Sequence, residues 1–160
     1  LEKKRRLLEC RAMRRLIPVL VAGLLASCAG PRSLEVKQFV LRDAGADYGE
    51  DPMVRSEKLR RLHGAIGVNE QAERLGQYYT VLWKDDSQGP VKVIFEYQQG
   101  GSGSRIKREV REFDAGATSG QAEFSVAGEN FRNNGRVLAW RISLVRNGEE
   151  LASKRSYLWQ

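Results

Sequence analysis

The sequence is poor in the side chains that most often perform chemistry. It has one histidine, His63, and two cysteines, Cys10 and Cys28. The common zinc sites draw their ligands from clustered Cys and His, so those sets are excluded. No serine stands in a G-x-S-x-G turn. The glycine-rich stretch GGSGSR (100–105) lacks the Lys-Ser/Thr that completes a phosphate-binding loop and reads as a hairpin tip. Asp43, Asp47, Glu50 and Asp51 crowd one loop, but not at the D-x-D-x-D-G spacing of a calcium loop. Paired carboxylates for glycoside hydrolysis reduce to Asp85-Asp86 and Glu149-Glu150. Both pairs lie in or beside turns, where solvated acids are common. His63 falls at the end of a helical pattern, where the helix dipole or water accounts for it. Also missing is any apolar run near the ~20 residues a membrane-spanning helix needs.

Charge of one sign is concentrated rather than spread. The chain carries +7. Residues 1–27 hold seven bases against two acids, leaving 20 bases against 18 acids in residues 28–160. A nearly neutral remainder offers little pull on polyphosphate, which excludes the usual nucleic-acid binder. A length of 160 residues fits one domain.

What is present begins with RRLIPVLVAGLLASCAG (14–30). Arg14 and Arg15 precede an apolar run from Leu16 to Ala26, which closes on small residues. A basic lead, a short apolar stretch and small residues at the cut form the pattern of a secretory signal. Pro18 and Gly23 argue against the alternative, an N-terminal core helix. The first residue is Leu1, and Met13-Arg14-Arg15 is the more usual opening of such a segment, so residues 1–12 read as an upstream extension. Cys10 would be removed with the signal.

Leu25-Ala26-Ser27-Cys28 sharpens the reading. It resembles the lipobox of bacterial lipoprotein precursors: a branched aliphatic, two small residues and a cysteine. The resemblance covers residues 13–31. It implies that Leu25, Ala26 and Ser27 are read by signal peptidase II and that Cys28 becomes the mature N-terminus, bearing diacylglycerol on sulfur and usually a further acyl chain such as palmitate. It also implies anchorage on the periplasmic side of the envelope. Ala29, not aspartate, after the cysteine is compatible with outer-membrane sorting. Arg14-Arg15 also resembles a twin-arginine signal, but the following Leu-Ile-Pro departs from that motif, so general secretion is expected.

The domain organisation expected is a signal peptide (1–27), a lipidated N-terminus and tether (28–33), and a β-sandwich (34–160) with a helical insertion at about 51–76. A five-residue tether spans about 17 Å when extended, which keeps the domain near the bilayer. SLEVKQFVLRD (33–43) reads as a strand whose apolar phase slips between Val36 and Phe39, as at a bulge. Asp51-Pro52 is an N-cap followed by a first-turn proline. Leu59, Leu62 and Ile66 follow at helical spacing, and NEQAERLG (69–76) reads as a second helix capped by Asn69 and ended by Gly76. Strands follow at 77–83, 91–98, 120–128, 135–145 and 150–159. Residues 105–113 fit either helix or strand, and their place between strands selects strand. Alternation puts Val91, Val93, Phe95 and Tyr97 on one face, Ala122, Phe124 and Val126 on another, and Leu138, Trp140, Ile142 and Leu144 on a third. Asn147-Gly148 signals a tight hairpin.

That pattern predicts a mainly β fold, an antiparallel sandwich of about seven strands. In strand count and hairpin order it is similar to immunoglobulin-like and fibronectin-III-like modules. The function expected is a non-catalytic envelope lipoprotein, held to the membrane through Cys28, without cofactor or nucleic acid, acting as a structural or interaction module toward another envelope protein. The alternatives are a small ligand- or carbohydrate-binding module and a hydrolase. The first alternative would use Tyr78, Tyr79, Trp83, Trp140, Tyr157 and Trp159 as a stacking platform, and the second needs His63, an acid and a serine in one cleft.

Overall fold

A computed structural model describes residues 33–45 and 49–159. The lipobox residues Leu25, Ala26, Ser27 and Cys28, with the rest of 1–32, lie outside the described residues, as does Asp47. The unit spanning Pro31–Gln160 is an antiparallel β-sandwich. Its strands are β1 (Ser33–Leu41), β2 (Gly76–Lys84), β3 (Val91–Gln99), β4 (Lys107–Phe113), β5 (Ser119–Ala127), β6 (Val137–Arg146) and β7 (Glu149–Arg155). One sheet has the order β1-β2-β5, the other β4-β3-β6-β7. Helices α1 (Pro52–Leu62) and α2 (Val68–Arg74) connect β1 to β2, and α3 (Gly128–Asn134) connects β5 to β6.

The core follows the two-residue period. Tyr79, Val81 and Trp83 of β2 and Ala122, Phe124 and Val126 of β5 face Val91, Val93, Phe95 and Tyr97 of β3, and all are buried. Phe95 is the hub: its ring centroid lies 4.7 Å from Tyr79, 4.8 Å from Tyr97 and 5.2 Å from Phe124. On β6, Trp140, Ile142 and Leu144 are buried as expected, but Leu138 is 50% exposed. A bulge is the reason: Gln98 pairs with Ala139 and Gln99 with Val137, so Leu138 is the unpaired extra residue and Val137 takes the inward place. Trp140 packs edge-on against Tyr79 at 5.7 Å. Asn147 and Gly148 have φ of +52° and +86°, the double positive φ of a type I′ turn, and they close the β6–β7 hairpin as expected.

The phase slip in β1 has a different cause from the bulge expected. β1 and β2 pair without a register shift from Ser33↔Lys84 to Leu41↔Gly76. The strand instead changes which of its faces is covered. Leu34 and Val36 pack into the sandwich interior, whereas Leu41 is buried and Phe39 half-buried on the opposite face, the face that carries the helical insertion.

The helices also depart from the apolar pattern. Asp51 caps α1, accepting from the Met53 amide at 2.8 Å. The packed side of α1 is nevertheless polar: Lys58 is buried, Arg61 half-buried, and Leu59 and Ile66 are exposed. α2 is capped from Gly67, where the Glu70 carboxylate accepts from the Gly67 and Ile66 amides. Gly76 is not its terminator but the first residue of β2. It lies so close to β5 that a Cβ there would sit 2.3 Å from the Val126 carbonyl oxygen.

One end of the sandwich is organised by a buried ion pair. Arg146 Nε lies 2.8 Å from Asp85 Oδ2, with both side chains almost fully enclosed. The guanidinium also donates to the carbonyls of Gly89 (2.6 Å) and Ala117 (2.9 Å), and Ser87 donates to Asp85. The β2–β3 and β4–β5 connections, and β6, thus share one cation.

Two sets of urea melts on the 31–160 unit check these contacts. Trp140→Ala is expected to cost roughly 3–5 kcal/mol, the range for truncating a buried aromatic. Tyr79→Phe is expected to be neutral or slightly stabilising, because the buried Tyr79 hydroxyl has no hydrogen-bond partner among the described residues. Arg146→Met strands Asp85 and is expected to cost about 3–5 kcal/mol, with Arg146→Met/Asp85→Asn recovering a good part of the loss.

Candidate functional site

The inside of the sandwich is filled by aromatic and branched side chains, so any recognition surface must lie outside it. A groove of about 640 Å³ runs over the outer face of the four-stranded sheet. Strand register builds this face in three rows. Arg108, Glu96, Arg141 and Arg155 lie side by side across β4, β3, β6 and β7. The next row is Val110, Ile94, Ser143 and Ser153, and the third is Glu112, Lys92, Val145 and Glu150. A neutral stripe therefore runs between two charged rows.

Within the face, Lys92 pairs with Glu112 at 2.7 Å. Arg141 reaches over the neutral row and donates to both oxygens of Glu150, at 2.8 and 2.6 Å. Burial pushes the Glu150 carboxyl up, but hydrogen bonds from Ser153, Arg141 and Ser143 and the Arg141 charge outweigh it and hold the group below its ordinary range.

The opposite outer face is occupied by the helical insertion, through ions. The Arg60 guanidinium makes two bonds to Glu57 (2.8 and 2.9 Å) and one to Glu123 of β5 (3.2 Å). Arg61 donates to Glu57 (2.8 Å) and Glu123 (3.1 Å) and lies 4.4 Å over the Tyr78 ring. Hydrogen bonding from Arg60 lowers the Glu57 carboxyl, and Arg61 adds to this. Burial raises Glu123, but the two arginines overcome it and leave the group lowered. Lys58 donates to Asp43 at 2.7 Å and lies 3.8 Å from Glu50.

Of the residues singled out in the sequence, most have structural positions. Asp85 is not a solvated turn acid but the buried partner of Arg146, and Asp86 beside it is exposed. Glu150 is bound to Arg141 and Glu149 is exposed. Asp43 and Glu50 face Lys58, and Asp51 caps α1. No group of three or more His, Cys, Asp or Glu among the described residues is disposed to hold a metal. His63 is exposed at the end of α1. Tyr79, Trp83 and Trp140 belong to the core, Tyr78 lies under Arg61, and Tyr157 is fully exposed. These aromatics are therefore divided between interior and surface. GGSGSR forms a short 3-10 turn at Gly100–Ser102, and Gly101 abuts the Asn134 backbone. The charged rows were not recognised from sequence: Arg108, Glu112, Lys92, Glu96, Arg141 and Arg155 come from four segments, and only register brings them together.

No protein-family model matches the chain, and no curated protein matches it. Among solved structures, an immunoglobulin-like protein from Pseudomonas aeruginosa is similar at 8% identity and a TM-score of 0.38, over 81% of this chain and 97% of that one. The fold class itself is defined by the strands: a mainly β, seven-stranded, two-sheet antiparallel sandwich with short helices. No described helix is long and apolar enough to cross a membrane.

The ion-held helices carry a pH expectation. Glu57 and Glu123 have lowered carboxyl pKa values in the folded state, so their contribution is fully present above the ordinary carboxylate pKa of about 4.3. It is lost as pH falls through the lowered values. The helical circular-dichroism signal is expected to decline below about pH 4 before the near-ultraviolet signal of the buried tryptophans. Simultaneous loss of the two signals in an acid titration would show that the helices are held by something else.

Proposed function

We propose that this chain is a membrane-anchored, non-catalytic envelope lipoprotein whose sandwich acts as a protein-interaction module. The observation that carries the anchor is Leu25-Ala26-Ser27-Cys28, placed directly after a basic lead and a short apolar run. The first strand begins at Ser33, only five residues beyond Cys28, which supports a mature domain carried close to the bilayer. More than one acyl chain is required for lasting attachment, because a single chain binds only marginally. The interaction role is supported by the outer face of the four-stranded sheet, where charged rows flank a neutral stripe.

Cys28→Ser is the test of the anchor. In cells fed radiolabelled palmitate, the parent is expected to take up label and partition into the detergent phase. The variant is expected to lose the label and to leave the membrane or to accumulate unprocessed. Undiminished labelling of the variant would sink the reading.

A further inference from the structure

The three rows on the outer face of the four-stranded sheet are complementary to themselves. Consider a two-fold axis lying along the neutral row, perpendicular to the strands. Rotation about it lays the Arg108 row of one copy over the Glu112 row of the other. Arg108 then faces Glu112 and Glu96 faces Lys92, Arg155 comes over the Glu150 carboxylate that Arg141 already holds, and the backbone of Arg141 lies over that of Val145. The Arg108–Glu112 and Glu96–Lys92 pairs each occur twice by symmetry, and among these four positions no like charges meet. Val110 and Ser153, the exposed ends of the neutral row, lie on the axis and meet their own copies, while Ile94 and Ser143 between them are already covered within each copy. The other in-plane axis, parallel to the strands, fails the same comparison: it sets Arg108 against Arg155 and Glu112 against Glu150.

We infer that this face is the contact surface for a second copy of the chain, in a two-fold symmetric dimer that packs sheet on sheet. An isologous interface requires one patch to complement itself, and this face does so at Arg108–Glu112 and Glu96–Lys92. The geometry also suits the sheets, because rotation about this axis leaves the strands of the two copies nearly aligned, as in face-to-face sheet packing. The Lys92–Glu112 pair, 2.7 Å apart within one copy, would meet Glu96 and Arg108 of the other to close a four-charge ring. Such a network has more to offer than isolated surface pairs. Val110, 37% exposed, would be covered where the axis crosses the β4 edge of the face. The inference names a partner for the proposed interaction module and does not depend on lipid at Cys28.

The test is sedimentation velocity on the full chain in a mild non-ionic detergent. The parent is expected to show a monomer–dimer equilibrium that weakens from about 0.05 to about 0.5 M salt, as exposed charge pairs are screened. Glu96→Lys sets like charges together twice per dimer and is expected to weaken association by about tenfold or more. Reversing the whole ring, with Glu96→Lys, Lys92→Glu, Arg108→Glu and Glu112→Lys in one chain, is expected to restore it. An unchanged near-ultraviolet spectrum in each variant verifies the fold. A parent that stays monomeric at about 0.1 mM, a concentration where even weak specific dimers form, would overturn the inference. So would association that tolerates Glu96→Lys, the result expected of two chains merely sharing a micelle, or failure of the four-fold reversal to restore it. Palmitate labelling is not touched by any of these results, so this inference and the lipid anchor stand or fall separately.

Discussion

The Arg146–Asp85 pair is the constraint on which one end of the sandwich depends. A guanidinium enclosed by protein has given up its water and must find acceptors in a fixed planar array. Asp85 and the carbonyls of Gly89 and Ala117 supply them, and each belongs to a connection that crosses between the sheets. The pair adds little net stability over a well-packed apolar substitute, because two charges had to be desolvated. What it fixes is position: the loops around 85–90 and 114–119 have few apolar residues to hold them, and one cation dictates where both run. The register of β6 against β3, and with it the tight turn at Asn147-Gly148, follows from the same anchor, since Arg146 is the last residue of β6 and pairs with Val91.

Edges are managed by charge. β4 closes one side of its sheet, and its inward phase reads Lys107, Glu109, Arg111 and Phe113. Inward-pointing charges on an edge strand discourage another chain from adding to it. They are accommodated because β4 hangs over the open side of the sandwich. Lys107 donates to Gln99 Oε1 at 2.7 Å and Asn130 Oδ1 at 2.9 Å, while Arg111 lies 5.0 Å over the Phe124 ring. The short helix α3 thus serves as the lid on that opening. Strand-by-strand growth is discouraged at this edge.

The helical insertion shows how far a polar seam can substitute for an apolar one. α1 meets the sheet through Arg60 and Arg61, which bond Glu123 of β5, and turns Leu59 to solvent. The arginines do two jobs at once: their charged heads bond Glu57 and Glu123, and Arg61 covers the Tyr78 ring. Attachment of this kind is strong only while the carboxylates are ionised, unlike the aromatic core centred on Phe95.

The fold class was legible in residue order because its signals are local. Alternation in Val91–Tyr97, Ala122–Val126 and Trp140–Leu144 selects strands with one buried face, Asp51-Pro52 starts a helix, and Asn147-Gly148 supplies the two positive φ angles of a tight turn. Even Lys107–Phe113, with helix-like spacing, was decided correctly by its neighbours. The lipobox proposed at Leu25–Cys28 is likewise a local pattern and rests on sequence alone. Other features depended on partners distant in the chain. Leu138 lost its inward place to a bulge that only pairing with β3 creates, and Phe39 and Leu41 are covered because the helices lie on the other side of β1. Asp85 looked like a turn acid until Arg146, sixty-one residues away, was set against it. The charged rows belong to the same class. Sequence determines which residues alternate and where the chain turns, since these are properties of neighbouring residues. Only the tertiary structure decides which strands lie side by side and in what register, because that choice is made by packing across the whole core.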